Sequence, residues 1–230
     1  MNQKNMSSRQ NRKQQIREAQ AKSKRTLYIT LTIVAILIVA VVLISTLPGS
    51  NKVNVIAPEA ITRAQVNGLT AGDPNAKVVV EEFSDFGCGG CVSFATQAEK
   101  AFVEQYVNTG KVYFKYSPTT WHDNQGKGTS ATTAYCANEQ GKFWEMHDLL
   151  FANYGVVLSD NFLKAAADSL KLDSAALKEC VASGKFAEQI QKDLTHAQET
   201  KIEFTPSFVV NGKIVGAEGL IAAVEEALGQ

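Results

Sequence analysis

The sequence is poor in the residues that mark specialised structural classes. Sixteen glycines and five prolines among 230 residues exclude collagen-like and low-complexity chains. Four cysteines are too few to staple a chain of this length, so a disulfide-scaffolded miniprotein is excluded. No excess of charge exists overall, since 23 Lys and Arg balance 23 Asp and Glu. That balance hides a division. Residues 1–26 carry eight basic side chains against Glu18 alone, and the rest of the chain is correspondingly acidic. The acidic larger part excludes a nucleic-acid binder, which needs a basic surface to meet phosphates. His122, His147 and His196 lack metal-ligand spacing, and no repeat is visible. Residues 51–230 suffice for one domain with a sizeable core.

One long apolar run is present. Residues 27–47 read LYITLTIVAILIVAVVLISTL without a charge. At about 1.5 Å per residue this makes roughly 31 Å of helix, the thickness of a bilayer core. The basic tail, residues 1–26, precedes it, so the amino terminus is expected in the cytoplasm and the rest of the chain outside. A cleaved signal peptide is the rival reading. The run exceeds the usual ~7–15 apolar residues of such a peptide and no A-x-A-like site follows, which favours a retained transmembrane signal anchor. Residues 48–69, with Pro48, Gly49, Ser50 and Pro58, read as a linker. Beyond the membrane, cysteines persist as disulfides.

The outer part alternates strands and helices. Lys77–Ser84 is a strand whose Val78, Val79 and Val80 suit burial on both faces. Cys88–Val107 reads as a helix with Phe94, Ala98, Ala101 and Phe102 on one side. Lys111–Ser117 alternates as a second strand. From His122 to about Lys201 the pattern is helical: Phe143, Met146, His147, Leu150, Phe151 and Tyr154 form a stripe, and Ser159-Asp160 and Asp173-Ser174 are N-capping signals. Ser207–Val210 and Lys213–Val215 flank an Asn211-Gly212 hairpin turn, and Leu220–Leu228 is a last helix. A β-α-β half at 70–121 and a β-β-α half at 202–230 therefore enclose a helical insertion at 122–201.

Cys88-Gly89-Gly90-Cys91 lies where a buried strand turns into a helix. Free N–H groups and the helix dipole favour an anion there, so Cys88 should ionise readily. A thiolate is the attacking species in disulfide exchange, and Cys91, one turn on, could resolve a mixed disulfide. Half a zinc site or an inert structural disulfide share this spacing. Cys136 and Cys180 form no second C-x-x-C, which argues against zinc; redox exchange is the preferred reading.

The runs GDPNAKVVVEEFSDFGCGGC, CANEQGKFWEMHDLLF and TPSFVVNG together resemble the DsbA-like thiol:disulfide oxidoreductases, more narrowly their membrane-anchored bacterial kind, over about residues 70–230. The resemblance implies an α/β thioredoxin fold interrupted by a helical insertion domain, here preceded by one transmembrane helix. It implies that Cys88 is the nucleophile, Cys91 the resolving thiol and Glu82 a buried acid that moves a proton to or from Cys91, with neighbouring Glu81 as the alternative inward residue. It implies a cis bond before Pro206 in Thr205-Pro206, facing the cysteines and pairing with substrate backbone. A second disulfide between Cys136 and Cys180 fits as well; two buried free thiols are the alternative. The implied activity introduces disulfides into secreted or membrane proteins, with reoxidation by a membrane partner of DsbB or VKOR type and no metal or other cofactor. A reductase or isomerase, or a non-catalytic peptide-binding adaptor, are the other readings. The departure is Gly-Gly between the cysteines, where relatives often carry a His or another larger residue, and this leaves the direction of electron flow open.

Overall fold

The computed structural model describes residues 22, 25, 28–42, 53–123 and 128–229. It divides into two units, residues 1–51 and 52–230. In the first, residues 28–42 are helical. Among the described residues no helix is long and apolar enough to cross a membrane. Leu27 and residues 43–47, both ends of the expected anchor, lie outside the described residues, as do residues 48–52 of the expected linker and nearly all of the basic tail.

The second unit is built on a mixed five-stranded sheet in the order β1-β3-β2-β4-β5. The strands are β1 (Thr70–Ala71), β2 (Val78–Ser84), β3 (Val112–Pro118), β4 (Ser207–Val210) and β5 (Lys213–Gly216). β2 and β3 run parallel with Val80 opposite Phe114, while β4 joins β2 antiparallel with Glu82 opposite Phe208. β3 alternates buried and half-buried residues along its whole length, as its sequence pattern requires. β2 departs from expectation. Val78 and Val80 are buried but Val79 is exposed, because the opposite face of the sheet is open at that end.

The helix expected at Cys88–Val107 is three pieces. α1 (Gly89–Gln97) and α2 (Glu99–Phe102) are separated at Ala98, and a wider π-helical turn follows at Val103–Val107. The break turns Glu99 wholly inward. The insertion comprises α3 (Thr129–Asn138), α4 (Phe143–Ala152), α5 (Asp160–Leu170), α6 (Ser174–Ser183) and α7 (Ala187–Glu199), and α8 (Leu220–Leu228) closes the unit. Both predicted caps form. Ser159 Oγ accepts from Phe162 N–H, and Asp173 Oδ1 accepts from the N–H groups of Ala175 and Ala176. One disulfide, Cys136–Cys180, ties α3 to α6.

Residues 53–69, expected as linker, pack on this unit. Val53, Val55, Ile61 and Leu69 lie against the core. Asn153 accepts from Ile56 N–H and donates to Ile56 O, and Asn108 treats Ala64 N–H and Thr62 O in the same way. Two side-chain amides thus complete backbone bonding that an isolated extended strand leaves open, and they hold the segment in place.

Candidate active site

β2 ends at Ser84, and the chain turns within three residues into α1. Asp85 organises that turn. Its carbonyl accepts from Cys88 N–H at 3.0 Å, its Oδ1 from Gly87 N–H at 2.8 Å, and its Oδ2 from His122 N–H at 2.7 Å. The loop is pressed so closely on the next segment that a Cβ at Gly87 would lie 2.0 Å from His122 O, a position only glycine fits.

This turn leaves Cys88 at the N-cap of α1 with its sulfur partly exposed, and puts Cys91 one turn on in the core; both are free thiols. Thr205–Pro206 is a cis peptide that faces the pair. Cys88 Sγ lies 3.3 Å from Thr205 O, and a Cβ on Gly90 would stand 3.2 Å from Pro206 Cδ. Gly90 therefore lets the proline approach, whereas Gly89 points into open space.

The two sulfurs have opposite acidities. Burial raises the Cys88 thiol, but the Thr205 and Cys91 side chains and the N–H groups of Cys91 and Gly90 outweigh it, so the net shift is downward. Burial pushes Cys91 up to about 12, helped by the charges of Glu82 and Cys88 and opposed by Ser84 and the Asp85 N–H. That N–H stands 3.4 Å from Cys91 Sγ. Of the two thiols, Cys88 is therefore the one that ionises more readily, and Cys91 the one that holds its proton.

Glu82 is wholly buried and neither carboxylate oxygen has a hydrogen-bond partner among the described residues. Burial, then the charge of Glu99, raise it well above the ordinary carboxylate range. Glu81, the alternative, faces the other side of the sheet, where His196 Nε2 lies 2.9 Å from its Oε1 and Ser117 donates to the same oxygen. The alternation of a strand decides between two adjacent acids. The geometry accordingly brings together Cys88, Cys91, Glu82, Thr205 and Pro206. Cys136 and Cys180 are joined to each other in the insertion, which answers the alternative of two free thiols.

Asp85 escaped the sequence reading. Its signal was an Asp three residues before Cys88, a residue type that closes turns with its own side chain. A second polar cluster also escaped it: Glu99, His147 and Asp148 place ligand-type atoms within 4.8 Å of one another. Arg63 already holds both acids, at 2.7 Å from Glu99 and 2.7 Å from Asp148, so its guanidinium stands where a cation would.

The family described as Thioredoxin matches residues 64–229. The Na(+)/H(+) antiporter NhaA 1 of Salinispora arenicola is 33% identical over 160 residues, 68% of this chain and 24% of the antiporter. The chain thus spans about a quarter of the length of that relative. Disulfide bond formation protein D of Bacillus subtilis is 29% identical over 154 residues, 63% of this chain and 68% of that protein. The crystal structure of oxidised BdbD from Bacillus subtilis shares the fold, with a TM-score of 0.64 at 22% identity over 77% of this chain and 100% of that one. With the match running from Ala64 to Gly229, across every strand and the cysteine turn, the chain belongs to the thioredoxin family.

Proposed function

We propose that the protein is a membrane-tethered thiol:disulfide oxidoreductase that acts outside the cytoplasm and introduces disulfides into secreted or membrane proteins. The observation that carries this reading is the opposed acidity of two sulfurs one turn apart: an easily ionised Cys88 at a helix start and a Cys91 held protonated in the core. The relative named for disulfide bond formation supports it.

In the oxidised pair, a substrate thiolate attacks Cys88 Sγ. Cys91 departs and takes a proton from Glu82. A second substrate thiolate attacks the substrate sulfur of the mixed disulfide, and Cys88 leaves as the thiolate that its surroundings favour. Two electrons pass from the substrate thiols to the cysteine pair. A membrane partner of DsbB or VKOR type then receives them. Thr205 and Pro206 offer backbone groups to an extended substrate segment. The uncharged run at 27–47 with its basic flank supports anchoring with the catalytic part outside.

Cys88→Ser should abolish oxidation of a reduced model protein, and Cys91→Ser should accumulate the mixed disulfide on a non-reducing gel. Full activity in Cys88→Ser overturns the reading. In intact cells a membrane-impermeant maleimide should label Cys88 after mild reduction; labelling only after lysis would place the site inside. The Gly89-Gly90 pair puts no cationic side chain beside Cys88, which favours a second reading of the same chemistry, a reductase. Equilibration with glutathione separates the two, since a strongly reducing potential reverses the direction.

A further inference from the structure

Behind Cys91 lies a seam of buried polar groups that disulfide exchange at the sulfurs leaves unused. Glu99 of α2 and His147 of α4 are wholly inaccessible. His147 Nδ1 is 2.9 Å from Asp148 Oδ1, and its Nε2 is 4.0 Å from Glu99 Oε2. Arg63 holds both acids, with Nη1 2.9 Å from Asp148 Oδ2, Nη2 2.7 Å from Asp148 Oδ1, the oxygen that also faces His147, and Nη2 2.7 Å from Glu99 Oε1. His147 Nε2, Glu99 Oε2, the Tyr116 hydroxyl and both oxygens of Glu82 have no hydrogen-bond partner among the described residues. These orphans are neighbours. Tyr116 stands in register beside Glu82 across β2 and β3, and its ring meets the His147 ring at 4.7 Å. The charge of Glu99 is felt at Glu82. At the other end, Asp148 lines a surface cavity with Glu59, Ile61 and Lys100.

We propose that Asp148, His147 and Glu99 form a proton relay that connects buried Glu82 to solvent, and that His147 is its switching member. The proposal rests on the exchange reaction assigned to Cys88 and Cys91. An imidazole with a different carboxylate at each nitrogen can take a proton on one side and release one on the other. The gap of 4.0 Å between Nε2 and Glu99 Oε2 is too long for a direct hydrogen bond, so the relay requires one water to bridge these two unsatisfied atoms.

When Cys91 leaves Cys88, the proton of the Glu82 carboxyl moves to the Cys91 sulfur and Glu82 is left ionised. A proton from water enters at Asp148, arrives at His147 Nδ1, leaves from Nε2 towards Glu99 and restores Glu82. Reoxidation sends one proton outward by the same route. No electrons travel along it. The groups that face the seam are Cys91 on α1 and Cys88 at its N-cap, Asp85 after β2, Tyr116 on β3, Glu99 on α2, Asp148 on α4 and Arg63 on the amino-terminal segment. Of these, only Arg63 carries a fixed positive charge.

The test oxidises a reduced cysteine peptide with the full-length protein, recycled by excess oxidised glutathione, and follows the repeated turnover that needs Glu82 reprotonated as the observed step between about pH 5 and 9. Glu99→Gln, His147→Gln and Asp148→Asn should each slow this step about tenfold and flatten its pH profile. Alkylation of Cys88 in the reduced variants should keep its wild-type rate. Folded variants with wild-type rates and an unchanged profile overturn the relay while leaving the exchange reading standing. Absence of exchange in the wild type removes both. His147 is packed among aromatic rings, so a measurement on the wild-type protein covers variants that fail to fold. The ring ¹⁵N shifts of His147 should change when the cysteine pair passes from disulfide to dithiol, and indifference to that change also overturns the relay.

Discussion

Two cysteines of identical covalent chemistry become a readily ionised thiol and a proton-holding one because one helical turn separates the edge of the core from its interior. Cys88 sits where backbone N–H groups lack partners, and Cys91 sits where every charge loses its water. Glu82 obeys the same rule with a consequence for stability. Burial holds its folded pKa above the unfolded value, so its contribution is fully present below the unfolded pKa and lost as pH rises through the folded one. Glu82→Gln is neutral at every pH. The reduced variant should therefore melt above the wild type at neutral pH and level with it below about pH 4, near the unfolded glutamate pKa. Thermal melts at the two pH values check this, and a variant that melts lower at neutral pH would show that Glu82 is held ionised.

Individual elements differ in how openly their sequences declare them. α5 and α6 carry side-chain caps at Ser159 and Asp173 and begin where those caps stand. β3 follows its alternation of apolar and polar residues. α3 has no such signature. Eight of its ten residues are buried, so there is no polar face to set off an apolar stripe, and its existence follows from the elements that surround it. The break at Ala98 is likewise tertiary in origin, since it brings Glu99 to Arg63. The α3–α6 disulfide spans a sequence separation of 44. Removing it as Cys136→Ala/Cys180→Ala should cost about 3–4 kcal/mol by loop entropy. The expected signature is a lower urea midpoint with unchanged alkylation of Cys88. A loss of exchange activity in the folded double variant would instead make this bridge part of the redox path.

Across the whole folded unit, one arginine joins three parts of the chain. Arg63 comes from a stretch whose composition suggests a linker, yet it bonds Glu99 on the sheet side and Asp148 in the insertion and lies 4.4 Å above the Trp144 ring. Removing one partner of such a buried set leaves the others as uncompensated charges. Arg63→Met should therefore cost about 3–5 kcal/mol, and Arg63→Lys should recover only part of it, because an ammonium cannot match the forked geometry. Denaturant titration of the two variants measures the difference; equal stability of both with wild type would mean that water satisfies the two acids.

The order of the strands from β2 to β5, the helical insertion between them and the cysteine turn were determined by the sequence alone, because periodicity, capping and a helix start at a strand end are local physics; the cis bond at Thr205-Pro206 followed only from the family resemblance, and β1 and the break at Ala98 from neither. Which of Glu81 and Glu82 faces the sulfurs, what becomes of residues 53–69, and the meeting of Arg63, Glu99, His147 and Asp148 were decided only by the tertiary structure. A carboxylate, a guanidinium and an imidazole look like surface residues in a sequence. They become a buried network only when segments distant in the chain close over them and exclude the water that would otherwise separate their charges.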